Sequence, residues 1–147
     1  MKAKYLVIIG LLAATFVACS RDEKDLFDKP AAVRAREAVE NAFTVLTSQE
    51  AWEMAYFPNL EADAKGYNMI VKFDKNSKVS VTAKNSLTTQ NKIMTDANST
   101  WTVKSDYGPL LSFDTYNKVL HAFSDPDPDG AGHLGDYEFL ILKATPE

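Results

Sequence analysis

Cysteine is almost missing from this chain: of 147 residues, Cys19 alone carries a thiol. An internal disulfide and a thiolate metal site are therefore excluded, and any chemistry falls to carboxylates, hydroxyls and the two histidines. A basic excess is missing as well. Sixteen Lys and Arg against 20 Asp and Glu give a formal charge of −4, which argues against nucleic acid and against charge-driven binding to anionic lipid. The chain contains no G-x-S-x-G nucleophile elbow, no H-E-x-x-H zinc helix and no internal repeat. Its one long apolar run, Tyr5 to Ala18, is shorter than the ~20 residues that span a bilayer, and the charged residues Arg21 to Asp25 follow closely.

That run is the most informative stretch present. Lys2 and Lys4 form a basic start, the apolar segment is broken only by Gly10 and Thr15, and small Ala18 stands directly before Cys19. This is the pattern of a bacterial lipobox, with Phe16 where Leu is preferred. The expected chemistry is transfer of a diacylglyceryl group to the Cys19 thiol, cleavage before it, and acyl chains as the membrane anchor. Removing residues 1–18 leaves 129 of the 147 and takes away Lys2 and Lys4, so the charge goes from −4 to −6. Residues 19–28 read as a charged tether. Asp22 and Glu23, just after the cysteine, resemble the signal that sends lipoproteins of Bacteroidetes type to the outer face of the outer membrane. Residues 29–147 then form a single domain, large enough to fold around one core.

Asp28 and Pro30 supply a helix start, and Ala35, Val39, Ala42, Phe43 and Leu46 recur at helical spacing to about Ser48. The period then changes to two. Trp52, Met54 and Tyr56 mark a strand ended by Pro58; Tyr67 to Phe73 and Val79 to Ala83 form a hairpin around Asp74-Lys75-Asn76-Ser77. Leu87 to Asn98 is polar and reads as a loop before a strand at Trp101 and Val103, and Gly108-Pro109 turns the chain into a strand from Leu110 to Phe113. Asp114 and Thr115 can cap a helical turn whose face carries Tyr116, Val119, Leu120 and Phe123. A loop over 124–135 leads to a last strand from Asp136 to Lys143. This order predicts an α+β fold, one N-terminal amphipathic helix packed on an antiparallel meander of about five or six strands. The last strand, rich in Tyr137, Phe139, Leu140, Ile141 and Leu142, is expected to leave an edge open to self-association.

Candidate sites are few. Counting from Asp125, carboxylates fall at positions one, three, five and twelve (Asp125, Asp127, Asp129, Asp136) with Gly130 at six, the spacing of an oxygen-lined calcium loop in which Ala131 would add a carbonyl. Pro126 and Pro128 stiffen that loop, Asp136 replaces the longer bidentate Glu, and the same residues are ordinary turn formers. The bland alternative, a surface turn, is therefore preferred. His121 beside Val119 and Leu120 reads as a structural histidine, and His133 as a solvated one. Asp136 and Glu138, two residues apart, could in principle serve glycoside hydrolysis, though on a solvated strand face they are ordinary surface charge. Among the aromatics, Trp101 and Tyr107 lie next to polar loops and are the candidates for an exposed platform that stacks on sugar rings.

Several of these pieces together resemble one family. The lipobox, Leu26-Phe27-Asp28-Lys29, Arg36, Trp52 with Tyr56 and Pro58, Gly66-Tyr67 leading to Lys72-Phe73-Asp74, and above all Gly108 to Asn117 are similar to Bacteroidetes lipoproteins known only as domain of unknown function 4302. Leu120-His121, Phe123-Ser124-Asp125-Pro126 and Gly135 to Phe139 fit the same pattern. The resemblance implies a location and a fold but no activity, substrate or catalytic residue, and it implies that this chain corresponds to the N-terminal module of longer members. The resulting expectation is an outer-membrane lipoprotein facing the cell exterior, not an enzyme, with a binding or interaction module for a glycan or a neighbouring envelope protein. The competing expectation is a fragment of an envelope hydrolase or a calcium-dependent glycan-binding protein.

Overall fold

The structure, a computed structural model, describes residues 28–58, 66–125 and 133–145. The expected signal peptide, Cys19, Asp22 and Glu23 lie outside the described residues, as do Asp127 and Asp129. The described residues from Ala32 onward form one compact unit.

Helix α1 (Ala31–Leu46) begins directly after Pro30, whose fixed φ suits a helix start. Only its second half packs: Ala42 and Val45 are buried, Phe43 and Leu46 lie against the core, and Ala35 is exposed although it belongs to the predicted apolar stripe. The last carbonyls of a helix lack intrahelical donors, and here they are met one by one. Phe43 O accepts the Thr47 hydroxyl at 2.9 Å, Val45 O accepts the Ser48 hydroxyl at 2.7 Å, and Leu46 O accepts the Trp52 indole N–H at 2.8 Å. The last bond also fixes where the first strand starts.

Six strands follow: β1 (Trp52–Tyr56), β2 (Tyr67–Phe73), β3 (Lys78–Ala83), β4 (Met94–Ser105), β5 (Pro109–Phe113) and β6 (Glu138–Leu140). They pair in sequence order, each antiparallel to the next, and the sheet curls into a half-barrel against α1. The fold is α+β as the sequence predicts. Alternation sends Met69 and Val71 of β2, Val79 and Val81 of β3, and Trp101 and Phe113 of β4 and β5 to the inner face. The β2–β3 turn is made by Asp74, whose carboxylate accepts Asn76 N–H at 2.6 Å, and by Ser77 at φ 63°.

β4 corrects the sequence reading. It begins at Met94, so the expected loop from Leu87 to Asn98 is strand from Met94 onward. Its register against β3 slips by one residue between Asp96, which faces Val81, and Ser99, which faces Val79. That bulge turns both polar residues inward before the normal alternation resumes at Trp101. β6 is likewise shorter than the expected Asp136 to Lys143, although Tyr137 O and Ile141 N still bond Phe113 N and Pro109 O of β5. The expected helical turn is a 3₁₀ turn at His121–Phe123; Val119, Leu120 and Phe123 are buried as predicted, while Tyr116 points outward.

Candidate functional site

Trp101, expected as an exposed platform, is fully buried. Its ring stacks on Phe43 of α1 at 5.2 Å, meets Phe73 edge-on at 4.7 Å, and its indole N–H donates to Asp74 O. Inward parity on β4 places it there, so it cannot stack on a ligand. Tyr107 behaves as expected: at the tip of the β4–β5 hairpin it is 98% exposed, and no other ring among the described residues stacks on it. One solitary ring is not a sugar platform.

Most groups able to do chemistry are held by the fold itself. Fully buried Asn117 donates to Asp96 O at 3.2 Å and to Ser99 Oγ at 2.9 Å, and its carbonyl oxygen accepts Val119 N–H and Leu120 N–H. Asp96 accepts Lys118 N–H at 2.9 Å and Asn98 N–H at 3.0 Å. Burial works to raise its pKa, but the hydrogen bonds from Lys118 and Asn98 outweigh it and hold the carboxyl below its usual range. These bonds fasten the 3₁₀ segment to the β4 bulge and explain how Asp96 and Ser99 can sit inside.

His121 belongs to the same knot. Its Nδ1 accepts Asn117 N–H at 3.0 Å, and its ring lies between Tyr137, stacked at 4.8 Å, and Tyr116, tilted at 5.4 Å. Burial pushes its pKa down, opposed by the Phe113 backbone and the Asp125 charge. The neutral ring therefore keeps its proton on Nε2 and has no free lone pair for a base or a metal. Asp125, the first residue of the candidate calcium loop, accepts the Tyr116 hydroxyl at 2.5 Å; Asp136, the last, gives its carbonyl to the Tyr56 hydroxyl at 2.9 Å. Burial and the Asp136 charge push the Tyr56 pKa up to about 12, so that hydroxyl stays a donor. Among the described residues no three of His, Cys, Asp or Glu gather as metal ligands.

Two carboxylates do converge, on the outer face of β4, β5 and β6. Asp114 and Glu138 flank Lys104 Nζ at 3.1 and 3.2 Å, and Ser112 Oγ lies 2.9 Å from both Lys104 Nζ and Glu138 Oε1. A serine beside a lysine suggests a nucleophile and its base, but hydrogen bonds to Asp114 and Glu138 raise the Lys104 pKa, so it retains its proton. Glu138 is held low by Ser112 and Lys104. The cluster laces three strands together.

One of the open clefts is apolar. Where α1 ends, the inner face of the sheet remains uncovered as a groove of about 300 Å³ lined by Leu46, Trp52, Glu53, Met54, Val71, Phe73, Leu111 and Phe139. It lies between the two outer strands. At one end these are tied together, with the Tyr56 and Phe139 rings 5.9 Å apart and the Tyr56 hydroxyl on Asp136 O; toward Trp52 the groove opens. Gly135 sits at the tied end, where a Cβ would meet the Tyr56 hydroxyl and come within 2.6 Å of Phe123 Cβ. Sequence reasoning assigned every apolar lining residue to strand, helix or core and missed the groove. No local pattern marks it, because it arises from a sheet that curls wider than half a helix covers.

The fold and its surface define a class: a helix-backed half-barrel with hydrogen-bonded polar clusters on its strands and an apolar groove on the inner face of its sheet. The chain belongs to the family described as domain of unknown function (DUF4302), which matches residues 23–147. No curated protein and no solved structure matches it.

Proposed function

We propose that this chain is a lipid-anchored protein of the outer membrane, held by acyl chains on Cys19 and displayed outward, whose folded domain is a non-catalytic interaction module. The observation that carries the module reading is the groove. It offers an accessible apolar surface bounded by rigid strands, while Lys104, His121, Asp96 and Ser112 are committed to bonds within the fold. Binding sites are typically concave and apolar, with preformed walls. Its lining favours an apolar side chain or peptide over a sugar, since Glu53 is the only charged residue in the lining.

The test uses anilinonaphthalene sulfonate, a dye that brightens on apolar protein surface. The folded chain should give saturable enhancement, and Met54→Lys should abolish it while the circular dichroism spectrum is retained. Equal, non-saturating enhancement in both would remove the groove as a binding surface.

A further inference from the structure

The whole-chain charge of −4 hides an uneven distribution. Residues 66–95 carry Lys72, Lys75, Lys78, Lys84 and Lys92 against one acid, Asp74. Strand parity puts Lys72 of β2 and Lys78 of β3 on the face of the sheet away from the core, and Lys84 follows at the same parity. Lys72 pairs with Glu50 at 3.4 Å, but among the described residues Lys78, Lys84 and Lys92 form no ion pair. Apolar side chains stand among them. Ile70, Lys84 and Ile93 line one cleft of about 270 Å³, and Ile93 is 77% exposed. The loop from Lys84 to Ile93 is shaped in advance and leaves Leu87 exposed. Asn85 Oδ1 accepts Leu87 N–H at 2.9 Å and Thr88 N–H at 2.7 Å, buried Thr89 gives its hydroxyl to Asn85 O at 2.8 Å, and Asn91 N–H returns to Asn85 O at 2.7 Å. Little further ordering is needed to present these side chains to a partner. The acidic neighbours lie at the β1 margin, where Glu53 stands opposite Ile70 and Glu50 holds Lys72.

We propose that this end of the sheet's outer face, with Ile70, Lys84, Leu87, Lys92 and Ile93, rests on an anionic lipid surface. This rests on reading the chain as lipid-anchored, which keeps the domain beside such a surface, and adds which face the domain turns to it. Charge and polarity together fit that occupant. Lysine ammonium groups pair with lipid phosphates while their alkyl stems lie along the apolar boundary, and Leu87 and Ile93 between them reach the acyl edge, as apolar side chains do in proteins bound at an interface. A soluble polyanion would match the lysines alone and leave Leu87 and Ile93 in water. The acidic excess on the rest of the chain repels the same lipid. The patch therefore does not recruit the chain by charge; it orients a domain that is already tethered.

A fluorescent label reads the face directly. In the full chain carrying Cys19→Ser, which has no native thiol, exposed Ser86→Cys is labelled with nitrobenzoxadiazole, which brightens on leaving water, and exposed Tyr107→Cys serves as the far site. β4 separates the two, running from Met94 to Ser105, a length of roughly 35 Å. On vesicles of phosphatidylglycerol and phosphatidylcholine in equal parts, the Ser86 label should brighten at least ~3-fold more than on phosphatidylcholine alone. Molar salt should remove the difference, because the Debye length falls to ~3 Å. Lys84→Glu with Lys92→Glu should remove it too, with the circular dichroism spectrum retained, and the Tyr107 label should stay dim. Should the reversal disturb the fold, Lys84→Gln with Lys92→Gln adds no charge and should lose the same difference. Equal brightening on the two lipids, a response that survives loss of both lysines, or a Tyr107 label brighter than the Ser86 label would overturn the proposal. Entry of the apolar run Tyr5 to Ala18 into vesicles delivers the chain to both lipids and leaves the contrast between sites and variants to the patch. Because this chain cannot be acylated at residue 19, the result is independent of the anchor, whose failure shows instead as Cys19→Ser protein that still sediments with membranes after a high-salt wash.

Discussion

Asn117 shows at the scale of one residue how a polar side chain becomes indispensable. Its four hydrogen bonds satisfy Ser99 Oγ, Asp96 O and two backbone N–H groups in a place without water access. Asn117→Ala should lower unfolding free energy by roughly 3 kcal/mol, because several buried groups lose their partners at once; urea denaturation measures it. His121 and Asp96 give the same knot a pH signature. His121 has a folded pKa below its ordinary 6.5, so the unfolded chain binds more protons between the two values. Stability is full above 6.5 and falls as pH drops toward the folded pKa. Asp96 also has a lowered pKa, below its ordinary 3.8, and its contribution is present above 3.8 and lost below it. Urea midpoints across the acid range should therefore fall in two windows, and His121→Gln should flatten the upper one. The residues from Ser112 to Asn117 were legible in the sequence as a distinctive run but not as a mechanism. Their partners, Lys104, Asp96 and Ser99, are distant in sequence and come close only through sheet pairing.

Among the elements, the C-terminal half of α1 and the β2–β3 hairpin could be read ahead because their packing follows a local period: 3.6 for Ala42, Phe43 and Leu46, two for Met69, Val71, Val79 and Val81; buried Val45 was missed. The first half of β4 could not. Met94 to Ser99 carries Thr95, Asp96, Asn98 and Ser99, a composition typical of loops, and becomes strand because the bulge and Asn117 satisfy its inward polar groups. Packing of α1 depends on few contacts, of which the Phe43 ring on Trp101 is central. Phe43→Ala should cost about 2–3 kcal/mol, below the range for a fully buried Phe because Phe43 is only half-buried. The thermal unfolding midpoint checks it, and loss of the stack should change the near-ultraviolet dichroism of Trp101 in the folded protein.

At the scale of the whole molecule, the proposed acyl anchor on Cys19 would decide where the domain acts. Cys19→Ser should move the protein from the membrane fraction to the soluble one, because two or more acyl chains hold firmly where a single chain is marginal; sedimentation with membranes after a high-salt wash would place the anchor elsewhere. Replacing Asp22 and Glu23 with Ala should reduce protease cleavage of the protein on intact cells. The two tryptophans, finally, make the folded domain its own optical instrument. Trp101 is sealed in the core with its indole N–H on Asp74 O, and Trp52 is half-buried in the groove wall with its indole N–H on Leu46 O. In Trp52→Phe the remaining emission should be blue-shifted and resistant to acrylamide, reporting only on unfolding. In Trp101→Phe it should be quenchable, and anything that fills the groove should shield it, so occupancy can be followed by light without knowing the occupant's name.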